Sequence, residues 1–515
     1  MGLISLIDNL DSATKTKLLG KEITKILRYT FAENDYDTLD NEILNEAVAI
    51  QLGSKLIKSK RELLIESIRT RDLKKLGFSD FGNAIEFYNK NDERFYKDFQ
   101  IENEYLFEPI EDNRSNYEIV TPVYGECNGI NAFPHDYQQR LKKKILFNLI
   151  KNLNPVILAS MPTGAGKTVL ALETIVDLYR TYNVLIKRKI NIIWIVNSKE
   201  LAEQSLNSFN KIWKQKGDEP VVAERFFSKF DKIYESKKSK ITFATFDLVV
   251  SRRSSLSVKN LLESCDLMVI DEAHGSDANT YSNVLLDYKK LNNNYKILGL
   301  TATPYRSSDS NFHSLKSLFK DYFTLTNESD EEEPSPLQYL IERNYLSSVK
   351  FEIINMSDGH VSLSEYYKTL HESIIEECNK LIENKQNSII FAKSKAHAVA
   401  LSILLNNKGI ENGLIVGETP DPKRKEYLKA FGDKKNSLSV LVNHQILSTG
   451  IDVPGMNSIM ILSDIGSPTL ALQVLGRAMR GPKNGGNKQN TIFLTPSNQR
   501  VLKNYKILES IVLNK

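Results

Sequence analysis

Two short stretches carry residue types that can do phosphate chemistry. In "SMPTGAGKTVLAL" (160–172), Gly166, Lys167 and Thr168 complete a phosphate-loop signature, although Met161 stands where its first glycine is expected. Gly164 and Gly166, on either side of Ala165, let the backbone turn its N–H groups onto phosphate oxygens with no Cβ in the way. Lys167 is placed to reach β- and γ-phosphates, and Thr168 to hold Mg²⁺ at a helix N-terminus. In "LMVIDEAH" (267–274), Asp271 follows a short apolar run, where its carboxylate can join the Mg²⁺ shell. Glu272 beside it can accept a proton from an attacking water. A glycine turn or an acidic strand end is ordinary alone. In this order they describe one site for a nucleoside triphosphate and its metal.

Such residues need a sheet to hold them. "PVILAS" runs straight into the glycine loop, and a periodic apolar segment follows it, giving strand, loop and helix in sequence. From residue 131 to 326, "INIIWIV", "ITFATF", "LMVIDEA" and "KILGLTATP" alternate with helical patterns, which predicts a parallel sheet buried on both faces. The acidic "NESDEEEPSP" at 327–336 reads as a solvated linker, placed at 327–345. A second series, "SIIFAKS", "NGLIVGE", "SVLVNHQ", "SIMILSD" and "NTIFLTP", fills 346–515. "GPKNGGNKQ" at 481–489 reads as a hairpin turn.

Residues 1–130 are mainly helical in pattern for the first 80, with Leu18, Leu19, Ile23, Ile26 and Leu27 at spacings of three and four. Residues 87–130 read as a linker or an irregular subdomain. Between Lys55 and Lys75, eight basic residues face three acidic ones. That is a solvated amphipathic helix, or more sharply a phosphate-contacting surface.

Bulk composition narrows the class. Net charge is only +4 in 515 residues, so any polyanion contact must come from local clusters rather than a global field. Cys127, Cys265 and Cys378 are too scattered for a zinc site or a disulfide framework. No stretch approaches the ~18 apolar residues of a membrane span, and the N-terminus has no signal-peptide pattern. The expectation is a cytoplasmic protein with no membrane partner.

Met161 to Thr168 fits the "PTG-x-GKT" loop of the superfamily 2 helicases and translocases, and the chain resembles their DEAH-type branch, which includes type III restriction motor subunits and DNA-repair translocases. Further matches come in that family's order. "HDYQQ" (135–139) resembles the adenine-reading motif, with Gln138 as base contact and His135 where the family usually has Arg. "WIVNSKELAEQ" and "ITFATFDLV" resemble strand-contacting motifs, and "GLTATP" the coupling motif. In the second unit "IIFAKS", "STGIDVP" and "QVLGRAMR" resemble the remaining three.

The resemblance implies two tandem RecA-like α/β domains behind a helical N-terminal region, with ATP hydrolysed between them. It implies that Thr163, Gly450 and Asp452 join the nucleotide contacts, and that Gln473, Arg477 and Arg480 act on the γ-phosphate from the second domain. It makes His274, Thr301 and Thr303 the relay to movement, and Thr245, Lys393 and Thr449 contacts to a nucleic-acid backbone. DEAH and TAT in place of DEAD and SAT favour DNA. The alternatives are an RNA helicase, or a nucleotide-dependent sensor that binds nucleic acid without unwinding it and licenses a partner nuclease or other effector.

Overall fold

A computed structural model describes residues 10–31, 70–91, 114–123, 135–273, 278–302, 318–325, 336–354, 362–417, 421–433, 438–444, 456–464 and 474–504, with isolated positions between 48 and 98 and at 419. Two α/β sheets follow a helical N-terminal region. The first contains β1 (Tyr117–Val120), β2 (Val156–Ser160), β3 (Asn191–Val196), β4 (Val221–Phe226), β5 (Lys240–Thr245), β6 (Leu267–Ile270), β7 (Ile297–Thr301) and β8 (Asp321–Phe323). Their order is β1-β4-β5-β3-β6-β7-β2-β8. Only β1 runs antiparallel, pairing with β4. Strands β2, β4, β6 and β7 are buried along their whole length, as a sheet covered on both faces requires.

The second sheet contains β9 (Ser348–Ile353), β10 (Ser388–Phe391), β11 (Asn412–Ile415), β12 (Val440–Asn443), β13 (Ser458–Ile461) and β14 (Gln489–Leu494). It is parallel throughout, in the order β11-β12-β10-β13-β14-β9. The ten apolar runs read from the sequence are all strands. Strand β4 was hidden because Glu224 and Arg225 interrupt "VVAERF", yet both are buried and satisfied. Glu224 accepts from Thr242 Oγ1 at 2.7 Å and pairs with Lys240 at 3.1 Å. Arg225 Nη2 meets Glu203 at 2.9 Å and also reaches Glu118 on β1. A buried guanidinium needs such carboxylates to offset its desolvation, and here they tie β1 to the sheet. Strand β1 lies within a stretch read as linker, and its partner explains it.

The "NGG" segment is no hairpin. Residues Pro482–Asn484 make a 3₁₀ turn closed by Gly485 at φ +76°, and β14 beyond it pairs only with parallel neighbours. The N-terminal helices Ser12–Leu19 and Lys21–Phe31 bury Leu18, Leu19, Ile23, Ile26 and Leu27 as their spacing predicts. Their core is completed by Ala396, Val399, Ala400 and Ile403, on the helix Lys395–Asn407 of the second sheet. The basic stretch 55–75 and the acidic linker lie largely or wholly outside the described residues. Cys265 and Cys378 are buried thiols that burial pushes up to about 12, which keeps them unreactive. Among the described residues no helix is long and apolar enough to cross a membrane.

Candidate nucleotide site

The glycine loop, the Asp-Glu pair and Thr301 come together because β6, β7 and β2 are neighbours in one parallel sheet and all end at the same edge. The Met161 amide donates to Thr301 O at 3.1 Å, and the Ala273 amide to Leu300 O at 2.8 Å, so the strand ends extend into the site in register. Open α/β sheets bind ligands at this carboxyl edge.

Gly164 and Gly166 stand at φ +81° and +79°. Gly166 caps the 20-residue helix Lys167–Ile186 in the left-handed region, which leaves the helix's first N–H groups facing the loop's concavity. A Cβ at Gly166 would lie 2.5 Å from Gln138 Nε2. Gln138 Nε2 donates to Ala165 O at 3.0 Å, and its Oε1 accepts from the His135 amide at 2.9 Å. Tyr137 Oη also donates to Ala165 O, at 3.0 Å. Gln138 therefore braces the loop from below, a contact that sequence spacing did not reveal.

Thr168 Oγ1 donates to Asp271 Oδ2 at 3.0 Å, and Asp271 Oδ1 accepts from the Glu272 amide at 3.0 Å. Burial first, and the neighbouring Glu272 charge second, push Asp271 up to about 6, against the pull of Lys167 and Thr168. Two hard oxygens at this spacing, one on a buried carboxylate that Lys167 only partly offsets, suit a divalent cation such as Mg²⁺. Lys167 Nζ sits 3.0 and 3.1 Å from the two oxygens of Glu272. Glu272 itself is at φ +53°, a left-handed conformation costing a non-glycine residue about 1–3 kcal/mol. That strain turns the chain after Asp271 and swings the carboxylate to the lysine.

The second sheet closes one side. A Cβ at Gly164 would lie 3.3 Å from Gly476 O, and a Cβ at Gly476 would collide with Thr163 Cβ. Gly476 immediately precedes Arg477, so the backbone before that arginine lies against the phosphate loop. The Arg480 backbone is fixed by a bridge to Leu346 and by Ser347 Oγ, which donates to Arg480 O at 2.5 Å. His135 Nε2 lies 2.8 Å from Asn484 Oδ1, a second cross-contact. The glycine inside "QVLGRAMR" was the available sequence signal for this close approach.

Thr245 caps the helix Phe246–Arg252 at the end of β5, on the same edge but two strands from β6. Lys393 follows β10 on the second sheet, 3.8 Å from Asp464. His274, Thr303, Thr449, Gly450, Asp452 and Gln473 lie outside the described residues.

A phosphate loop, an acidic pair and a facing second parallel sheet define a helicase-type nucleoside-triphosphatase core. Residues 132–306 match the family described as "Type III restriction enzyme, res subunit", and residues 370–482 match "Helicase conserved C-terminal domain". The chain is 26% identical over 345 residues to a protein provisionally named helicase 22 of Sulfolobus islandicus filamentous virus, covering 63% of this chain and 57% of that protein. It is 25% identical over 359 residues to the provisionally named ATP-dependent helicase IRC3 of Saccharomyces cerevisiae, covering 67% of this chain and 49% of that one. Among solved structures, a fragment provisionally assigned as the HsdR subunit of a type I restriction enzyme from Vibrio vulnificus superposes with a TM-score of 0.51 at 16% identity, over 72% of this chain and 65% of that one, which shows a shared fold. The chain belongs to the superfamily 2 helicases and translocases, related to restriction-enzyme motor subunits. It spans about half the length of these curated relatives.

Proposed function

We propose that this chain is an ATP-driven motor that moves along DNA, with hydrolysis between its two sheets. The observation that carries the reading is the Thr168–Asp271 and Lys167–Glu272 constellation lying against the backbone of Gly476. Lys167 and the Gly164–Thr168 amides bind phosphate, Thr168 and Asp271 hold the metal, and Glu272 takes the proton of the attacking water. Bound Mg²⁺ would supply charge neutralisation on the phosphates. Gln138 and Thr163 shape the loop, and Arg477 and Arg480 face the γ-phosphate when the sheets close. Arginines so placed can contribute about 10³–10⁵ in rate. Closing and reopening then alter the spacing between backbone grips at Thr245 and Lys393.

DNA is favoured over RNA by the DEAH and TAT motifs and by the likeness to restriction-enzyme subunits. That likeness also supports a nuclease as partner. The test is ATP turnover by purified protein with and without nucleic acid. DNA should stimulate it, and Lys167→Ala should abolish it. Stimulation by RNA alone would reassign the substrate.

A further inference from the structure

The N-terminal helices form an open cavity of about 350 Å³, lined by Thr16, Lys21, Thr24, Lys25, Arg28 and Tyr29. Among the described residues no acidic side chain lines it, while three cations, Lys21, Lys25 and Arg28, do. Thr16 Oγ1 and Thr24 Oγ1 donate back to helix carbonyls, at Ser12 O and Gly20 O, so the cations and not the hydroxyl protons are available to a ligand. Arg28 Nε is buried with no hydrogen-bond partner among the described residues. A buried guanidinium N–H without an acceptor is costly, the more so because the group is charged. A ligand oxygen would relieve it.

From the cavity wall, ring contacts run to the second sheet's candidate grip by way of the helix Leu363–Glu383. Tyr29 stacks on Tyr367 with ring centroids 6.1 Å apart and planes at 14°, and its carbonyl accepts from Ser364 Oγ. Tyr366, next along that helix, lies beneath Lys393 Nζ at 6.0 Å. Behind them His397 Nδ1 accepts from the Lys393 amide at 3.3 Å, and its Nε2 lies 3.0 Å from His371 Nε2. Burial pushes both histidines down, so the pair stays neutral and holds the loop without competing for anions. Lys21, Lys25, Arg28 and Lys393 are thus joined through two tyrosines of one helix.

We infer that the N-terminal helices form an additional phosphodiester-binding station, receiving the backbone of the single strand that passes the Lys393 edge. This rests on the motor reading above. A basic cavity with an exposed Lys25 over the Tyr29 ring (5.6 Å) is suited to backbone and sugar rather than base-edge readout.

The test is fluorescence anisotropy of a labelled oligo-dT against salt, using the full chain. Each phosphate contact to a single strand contributes about 0.7 to the slope of log affinity against log salt. Lys21→Gln with Lys25→Gln, both exposed, should lower the slope by about 1.4. Adding Arg28→Gln should lower it further, with thermal melting confirming the fold. Lys17→Gln, the same charge removed outside the cavity, should change nothing. An unchanged slope in the double variant, with wild-type binding intact, overturns the station and leaves the motor standing. Wild-type protein that binds neither DNA nor RNA overturns both. Inorganic pyrophosphate that binds wild type and not the variant, with DNA binding equal in both, makes this a small-anion site and overturns the strand assignment.

Discussion

Lys167 Nζ lies 3.0 Å from Glu272 Oε1, so the side chain proposed to bind phosphate holds the one proposed to activate water. An incoming triphosphate competes with the carboxylate for the ammonium, and the displaced Glu272 becomes free to accept a proton. Substrate binding thereby arms the base. Glu272→Gln should lower turnover by about 10²–10⁴, the range of a positioned general base. Nucleotide affinity should hold or rise, because Lys167 loses its charged competitor. Titration with a fluorescent ATP analogue reads this, and weakened binding would sink the competition argument.

Asp271 supplies a pH dependence whose sign follows from burial. Its folded value near 6 exceeds the ordinary 3.8, so between those values the folded chain holds the extra proton. Stability therefore falls as pH rises from about 4 to 6, by at most ~3 kcal/mol for a shift of this size. Asp271→Asn should flatten that slope and raise the melting temperature above pH 6 without nucleotide or metal, while abolishing turnover. Metal affinity of the wild type should drop as pH falls through 6. A wild-type melting profile flat across this range would refute the assignment.

Much of this site was legible because parallel strands announce themselves as apolar runs and put their loops at one edge. Gly164 to Thr168 and Asp271-Glu272 needed only that rule. The bracing by Gln138 and the docking of the N-terminal helices on Ala396–Ile403 were not legible, and the glycine in "QVLGRAMR" signalled a close approach without naming its partner. Each is a meeting of segments far apart in sequence, and no local period encodes which surfaces meet. Strand β4 was missed for a different reason. Its charges are compensated by Glu203, Glu118, Thr242 and Lys240, none of them adjacent.

The glycines of the site give a pair of contrasting expectations. Gly166→Ala places a Cβ 2.5 Å from Gln138 Nε2 in a left-handed backbone, so it should weaken nucleotide binding and destabilise the chain by about 1–3 kcal/mol. Gly476→Ala meets Thr163 only across the gap between sheets, so it opposes their approach more than it alters the glycine turn at 164–166. It should lower kcat at least tenfold with little change in the Kd for nucleotide. Equal losses of binding in both variants would show that Gly476 belongs to the loop's fold and not to closure.

The His135–Asn484 contact extends that argument to the other side of the site. Asn484 Nδ2 donates to Tyr345 O at 2.9 Å, which leaves its Oδ1 to accept from His135 Nε2. Lys483 Nζ sits 4.2 Å over the Tyr345 ring, and His135 packs against the same ring at 4.6 Å. One aromatic ring thus seats both the start of the Gln138 helix and the turn after Arg480. Removing the histidine's donor should loosen the second sheet against the first. His135→Ala is expected to reduce kcat several-fold while leaving KM for ATP within about twofold, since a single hydrogen bond contributes about 0.5–1.5 kcal/mol. Asn484→Ala should do the same, and the double variant should cost no more than either alone, because both remove one contact. Additive losses in that cycle would mean that the two side chains act separately.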